Sequence, residues 1–282
     1  MKVIVFGKNG QLGSEIGRLK GDLDISLLDR EDVDLTDSHL LVSALREMEF
    51  DILINAAAYT AVDKAESERE MADLINSVAP GLMAQDCVEK GAKMIHISTD
   101  YVFNGESTIP LVEEMIIDPI NHYGLSKWKG EEAVRTTLTE HVILRTSWLY
   151  GKGGMNFPNT MLRLAETRDE INVVYDQVGN PTNAADLAQL IVLLCRSELT
   201  DKYGTYHYSN EGVCSWYDFA LAVFRQKNLR LKVNPVTSEM FPTPAKRPSY
   251  SVLNKKKIKD TFGVKIRHWY DALADYLDTE NR

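Results

Sequence analysis

Cysteine is scarce: Cys87, Cys195 and Cys214 are odd in number and widely scattered. That excludes a small disulfide-held fold and any cysteine-based metal spacing, and the thiols read as reduced groups of a cytoplasmic protein. Long apolar runs are also missing. The longest, Ile52 to Ala58, is interrupted by Asn55 and falls far short of a bilayer crossing, so no membrane partner is expected. The chain opens directly on Lys2-Val3-Ile4-Val5-Phe6 without the pattern of a signal peptide, again pointing to the cytoplasm. Positive charge is in short supply, with 32 Lys and Arg against 41 Asp and Glu and a net charge of −9. This balance argues against a nucleic-acid partner but leaves room for a local basic pocket holding an anion. There is no internal repeat, low-complexity tract or long linker.

What is present suits an ordinary soluble enzyme. Hydrophobic residues make up 44% and charged residues 26% of 282 positions, enough for one large α/β domain or two smaller ones. Apolar runs at Lys2 to Phe6, Ile25 to Leu28, Ile52 to Ala57, Lys93 to Ser98 and Val142 to Thr146 predict buried strands. Between them, Asp37 to Met48, Glu68 to Glu89 and Gly124 to Leu138 carry helical periodicity. This alternation predicts right-handed βαβ units and a doubly wound parallel sheet covered on both faces. After Tyr150 the chain is punctuated by Gly151-Lys152-Gly153-Gly154 and by prolines from Pro158 to Pro248. Ala184 to Cys195 still reads as a helix and Thr205 to Tyr208 as a strand. The expected organisation is a dinucleotide-binding domain over residues 1–150, with segments near 180–208 returning to it. Residues 151–282 are then mainly a smaller substrate-binding lobe.

Three places carry chemistry. Gly7-Lys8-Asn9-Gly10-Gln11-Leu12-Gly13 follows the first strand and opens the first helix. Glycines there allow a tight turn and close backbone approach to a pyrophosphate, and the helix N-terminus offers free N–H groups. At the carboxyl ends of later strands, Ala56-Ala57-Ala58 leaves room for a cofactor lying across the sheet. The Thr99 hydroxyl there can hydrogen-bond a substrate carbonyl oxygen. Finally, Tyr123 and Lys127 are spaced to share one helix face, and of the twelve tyrosines only Tyr123 has a lysine four residues after it. An ammonium beside a phenol favours the phenolate, so Lys127 is expected to lower the Tyr123 pKa and tune it for proton transfer.

The G-x-x-G-x-x-G spacing together with Y-x-x-x-K resembles the short-chain dehydrogenase/reductase family. In that frame Asp29 ends the second strand where an acidic residue holds a ribose diol and favours NAD. Arg30 beside it suits a 2′-phosphate instead, so NADPH and NADH both remain open. Asp34 and Leu35 suit an adenine-edge contact.

A more specific resemblance rests on runs spread along the chain. They are Asn55-Ala56-Ala57-Ala58-Tyr59-Thr60-Ala61-Val62-Asp63-Lys64-Ala65-Glu66, Ser98 to Phe103, Leu144-Arg145-Thr146-Ser147-Trp148, and Asn156-Phe157. Asp176 to Thr182, Cys214-Ser215-Trp216-Tyr217, Arg247-Pro248 and Ser251-Val252-Leu253 complete the series. In this order they resemble the dTDP-4-dehydrorhamnose reductases, which are extended short-chain reductases with an added nucleotide-sugar lobe. The resemblance implies reduction of a dTDP-4-keto-6-deoxy sugar at C4, a step in dTDP-rhamnose biosynthesis. It implies Tyr123 as proton donor, Lys127 as its tuner and ribose clamp, and Thr99 as the hydroxyl contact, where many relatives carry Ser. It further implies cofactor contacts from Gly10, Gln11, Leu12 and Ala56 to Ala58, and sugar contacts from Asp100, Tyr101 and Trp148. Contacts to the nucleotide diphosphate fall to Asn156, Phe157 and Arg247, the last because a guanidinium binds phosphate bidentately.

Some members of the family form metal-bridged dimers. Glu15 is a candidate ligand here, but Ala184-Ala185 stands where a second acidic ligand is expected, so no required metal is expected and the chain reads as a monomer or homodimer. Two other functions share parts of this pattern. An epimerase retains its cofactor, and a dehydratase needs an acid/base pair that Asp100-Tyr101 does not complete. A non-catalytic regulatory subunit requires degradation of the Gly turn or the Tyr–Lys pair, and both are intact.

Overall fold

The computed structural model describes residues 1–279, so the last three positions of the expected second lobe lie outside the described residues. Six parallel strands form the central sheet, in the spatial order Gly204–His207, His141–Thr146, Lys93–Thr99, Ile52–Asn55, Lys2–Phe6, Asp24–Leu28. In the interior strands most Val, Ile and Leu side chains are buried on both faces, as a parallel sheet requires, while those of the edge strand Asp24–Leu28 are half-buried. On one face Ile16, Leu187, Ile191 and Leu194 pack from the Gln11–Leu19 and Ala184–Arg196 helices. On the other, Leu41, Leu45, Met83 and Val134 pack from Ser38–Glu47, Ala79–Lys90 and His122–Thr137. The sheet is doubly wound. The chain leaves Lys2–Phe6 in one direction for Asp24–Leu28 and later returns on its other side as Ile52–Asn55. That reversal opens a crevice above the strands' carboxyl ends, where such sheets bind ligands.

Two elements differ from the sequence expectation. The third strand stops at Asn55 rather than Ala57, because the Asn55 side-chain oxygen accepts from Ala57 N at 3.2 Å and turns the chain over the sheet edge. The long helix expected over Glu68 to Glu89 is broken into Arg69–Asp73, a wide turn at Leu74–Val78, and Ala79–Lys90. Pro80 has no N–H to return to the Asn76 carbonyl, so the regular ladder fails there. Gly130 of the His122–Thr137 helix packs against that freed carbonyl; a Cβ at Gly130 would lie 2.0 Å from it.

Later elements build a second core around Tyr150, Phe219, Trp269 and Leu273, while the Lys256–Phe262 helix packs Ile258 back onto the first. Helices Phe157–Ala165, Trp216–Gln226 and Trp269–Thr279 surround the parallel pair Glu170–Val174 and Lys232–Val236. Ser215 and Asp218 start the middle helix with a reciprocal capping box. Among the described residues no helix is long and apolar enough to cross a membrane.

Candidate active site

The glycine turn is shaped by contact distances. Gly7 has φ +98°, and a Cβ on it would meet the Ala56 and Ala57 backbone at 2.8 Å. A Cβ on Gly13 would sit 2.1 Å from the Gly7 carbonyl oxygen. Only glycine lets the turn close onto the first helix and onto the Ala56–Ala58 loop at once. Gly7 and Lys8 anchor the turn by donating to the Leu28 carbonyl at 2.8 and 3.0 Å. Gly7, Asn9, Gly10, Gln11 and Leu12 face a cavity of about 800 Å³, while Gly13 stands behind them as packing.

One end of this cavity is lined by Asp29, Arg30, Asp34 and Leu35. The Asp29 carboxylate accepts from the Asn9 amide and lies 4.0 Å from the Lys8 ammonium. Arg30 is exposed and bonds Asp34 through Nε at 3.3 Å. Backbone and side-chain hydrogen bonds from Thr36 hold the Asp34 carboxyl below its ordinary range. A carboxylate and an exposed guanidinium therefore stand side by side. The Ala56–Ala58 run forms the middle of the lining.

The far end gathers Thr99, Tyr123 and Lys127. Thr99 closes the central strand, is 5% exposed, and caps the short turn Asp100–Val102 by accepting from Tyr101 N at 3.2 Å. The His122–Thr137 helix starts at Asn121, whose side chain accepts from Gly124 N and donates to the Lys246 carbonyl, both at 2.8 Å. Its second residue, Tyr123, stands against Tyr101 edge-on with ring centroids 5.5 Å apart. Gly124 is required by this crossing, since a Cβ there would lie 2.1 Å from the Tyr101 carbonyl oxygen.

Electrostatics at this end run against the sequence expectation. Burial pushes the Tyr123 phenol up to about 12; hydrogen bonding by Thr99 opposes this and the Asp100 charge adds to it. Lys127 does not lower it. The lysine is itself buried and pushed down to about 8, with Glu131 opposing that shift, and its Nζ donates to the Ile97 carbonyl at 2.7 Å. Burial disfavours the charged form of both groups, and it is the main cause of each shift.

Asp100, Tyr101 and Trp148 line the same cavity. Trp148 adopts φ +47°, a left-handed backbone that a bulky residue seldom takes. It is held there by a face-to-face stack on Trp216 with centroids 3.6 Å apart, and by Gly179, where a Cβ would come 2.8 Å from its indole. Trp216 lines the cavity too. Sequence reading named Trp216 only within a motif; no local pattern announces that it carries the stack.

Three expected contacts stand outside the lining. Asn156 caps the Phe157–Ala165 helix, accepting from Asn159 N at 3.0 Å, and its amide donates to Gln11, Gly151 and Tyr276. Phe157 packs on Trp216 and Phe219 in the second core. Arg247 closes its guanidinium on Asp63 at 2.9 and 3.0 Å. Glu15 is taken by Arg18 at 2.6 Å. Among the described residues no three His, Cys, Asp or Glu side chains cluster as metal ligands.

One residue that sequence reading missed is Asn76. It is fully buried, and its side chain bonds Tyr59 N at 2.8 Å, Tyr59 O at 3.1 Å and Ser126 Oγ at 3.0 Å. It thereby ties the loop after the third strand to the helix bearing Tyr123 and Lys127. The only signal in the chain was Pro80 four residues later.

The RmlD substrate binding domain family matches this chain over residues 1–282. The spore coat polysaccharide biosynthesis protein SpsK of Bacillus subtilis is 41% identical over 278 residues, covering 98% of this chain and 96% of that protein. A dTDP-4-dehydrorhamnose reductase of Sinorhizobium fredii is 40% identical over 281 residues, covering 96% and 95%. The crystal structure of the Bacillus anthracis dTDP-4-dehydrorhamnose reductase in complex with NADP superposes with a TM-score of 0.94 at 40% identity, covering 99% of this chain and 100% of that one.

Proposed function

Because the chain belongs to the dTDP-4-dehydrorhamnose reductase family, we propose that it reduces the C4 ketone of dTDP-4-dehydro-β-L-rhamnose to give dTDP-L-rhamnose. One observation carries this reading. Thr99, Asp100, Tyr101, Tyr123, Lys127 and Trp148 open on the same cavity as the glycine turn. The enzyme is an NAD(P)H-dependent oxidoreductase, and when bound the reduced nicotinamide supplies the hydride that C4 accepts.

The residues present fit that cofactor. The Gly7–Gly13 turn has no room for side chains where the pyrophosphate backbone must approach, and the helix start at Gln11 offers N–H groups to it. Asp29 and Arg30 would hold the adenosine ribose, and Lys127 the nicotinamide ribose. Thr99 donates to the substrate's C4 oxygen and fixes it beside Tyr123. Tyr123 then gives its proton to that oxygen as negative charge develops there. A phenol held at about 12 is a weak acid, yet an alkoxide is a far stronger base than a phenolate, so the transfer runs downhill. Asp100, Tyr101 and the Trp148–Trp216 stack hold the sugar.

In this reading residues 1–150 and the returning strand Gly204–His207 form the cofactor part, with the later elements as the substrate lobe. The protein acts in the cytoplasm as a monomer or homodimer. The test is reduced-nicotinamide absorbance with dTDP-4-keto-L-rhamnose generated in situ. Oxidation dependent on both the keto sugar and this protein is expected; none with either NADH or NADPH overturns the reading.

A further inference from the structure

Two polar side chains are fully buried in the middle of the central sheet. Phe6, Asn55, His96 and Ile143 are direct neighbours across four adjacent parallel strands, so their side chains stand in one row on one face. Phe6 and Ile143 belong to the apolar layer beneath the helices. Between them Asn55 and His96 meet, with Asn55 Nδ2 3.2 Å from His96 Nδ1. Burying such a pair costs stability that an apolar pair would not, so packing alone gives no reason for it.

A neighbouring backbone group fixes the direction of this bond. The Ala57 N–H can only donate, so the Asn55 atom that meets it at 3.2 Å is the oxygen. Asn55 therefore turns its NH2 to His96, where Nδ1 accepts, and the ring carries its one proton on Nε2. Burial keeps the ring neutral, pushing its pKa well below the ordinary value, and the Lys127 and His141 charges add to that shift. His96 Nε2 is fully enclosed and has no hydrogen-bond partner among the described residues.

We propose that His96 is a positioning residue for the cofactor: its Nδ1 holds the Asn55 amide in the one orientation that seats the Ala57 peptide. The proposal rests on the reductase reading above and deepens it. Ala56, Ala57 and Ala58 line the cavity, while neither Asn55 nor His96 is among its lining residues. The Ala57 peptide also bears on the glycine turn, since a Cβ on Gly7 would lie 2.8 Å from Ala57 N. With the Asn55 amide rotated by half a turn, its NH2 would oppose the Ala57 N–H and drive that peptide off Gly7. The next residue of the strand, Ile97, gives its carbonyl to Lys127. Adjacent positions of one strand thus steady the cofactor loop and the lysine.

The test measures dissociation constants of NADPH and NADH by quenching of tryptophan fluorescence, for wild type, His96→Phe and His96→Asn. His96→Phe fills the volume of the ring without an acceptor. His96→Asn puts a carbonyl oxygen where Nδ1 stood and leaves the rest of the space empty. The cofactor Kd is expected to rise about tenfold in His96→Phe, the value of one hydrogen bond, and to stay within about twofold in His96→Asn. In both variants kcat at saturating cofactor and the sugar KM should stay within about twofold of wild type. A Kd raised about tenfold in His96→Asn, or unmoved in His96→Phe, makes the ring a packing residue and overturns the proposal. Nitrogen NMR of wild type with isotope-labelled histidine needs no variant to fold. His96 is expected neutral with its proton on Nε2, and a proton on Nδ1 overturns the assignment. If wild type binds neither cofactor, it is the reductase reading that fails.

Discussion

The Gln11 side-chain carbonyl accepts from the Asn156 amide at 3.0 Å and from Gly151 N at 2.7 Å, joining the glycine turn to the start of the Phe157–Ala165 helix. Asn156 was expected to meet the nucleotide diphosphate; its amide instead links Gln11, the Gly151 carbonyl and the Tyr276 hydroxyl. Asn156→Ala removes a helix cap and leaves these partners short of a donor. The expected loss is about 1–3 kcal/mol of stability, measured by urea unfolding, with a raised cofactor KM. Asn156→Asp keeps the cap but loses the amide, so it should recover part of the stability and none of the cofactor affinity. Equal behaviour of the two variants would show that the link to Gln11 is idle.

Tyr123→Phe should keep cofactor binding, read by quenching of tryptophan fluorescence, and lose about 10²–10⁴-fold in kcat. The ring still packs edge-on against Tyr101, so the fold is not at stake. Turnover near the wild-type rate would remove Tyr123 as the proton donor.

Cofactor preference turns on two neighbours. Asp29 faces the cavity with its carboxylate steadied by Asn9, while Arg30 is exposed and tied to Asp34. Asp29→Asn removes a charge that repels a 2′-phosphate and weakens the bond to a ribose diol. The ratio of kcat/KM for NADPH over NADH should rise about tenfold, the value of one charge-assisted hydrogen bond. Arg30→Ala should move it the other way. Steady-state kinetics with both cofactors decides, and a ratio indifferent to both variants would place the ribose elsewhere.

Trp216→Leu removes the stack that holds Trp148 in its left-handed backbone. The stack is worth about 0.5–1.5 kcal/mol beyond its buried area, so the sugar KM should rise about 3–10-fold while the cofactor KM stays put. A change in the cofactor KM alone would contradict this placement.

Much of this architecture was legible in the chain because it is local. The runs at Lys2 to Phe6 and Val142 to Thr146 are mainly apolar, and they became interior strands. The Tyr123–Lys127 spacing needed only helical geometry. What was not legible depends on contacts between distant segments. Asn76 and Trp216 act through partners 50 and 68 residues away in the chain, Ser126 and Trp148 respectively. No periodicity encodes such a pairing. The direction of the Tyr123 shift also escaped the spacing argument, because burial is a property of the whole fold and here it is the main cause of the shift.

Glu131 shows how the core and the reacting groups are coupled. It is 1% exposed, and Arg145 of the neighbouring strand grips it through Nε at 2.9 Å and Nη2 at 2.6 Å. Arg145 also reaches the Glu113 carbonyl at 3.3 Å and lies over the Phe103 ring. Removing one partner strands a buried guanidinium, so Glu131→Gln should cost roughly 3–5 kcal/mol, read as a shift of the urea midpoint. The same carboxylate lies one helical turn beyond Lys127 and holds the lysine's pKa up against burial. Without it the ammonium is lost at lower pH. If the charged lysine clamps the ribose, kcat/KM falls as pH rises through the Lys127 pKa, near 8 in wild type, and this limb moves to the acid side in Glu131→Gln. A folded variant with an unmoved limb would separate Glu131 from the lysine and leave it a purely structural partner of Arg145.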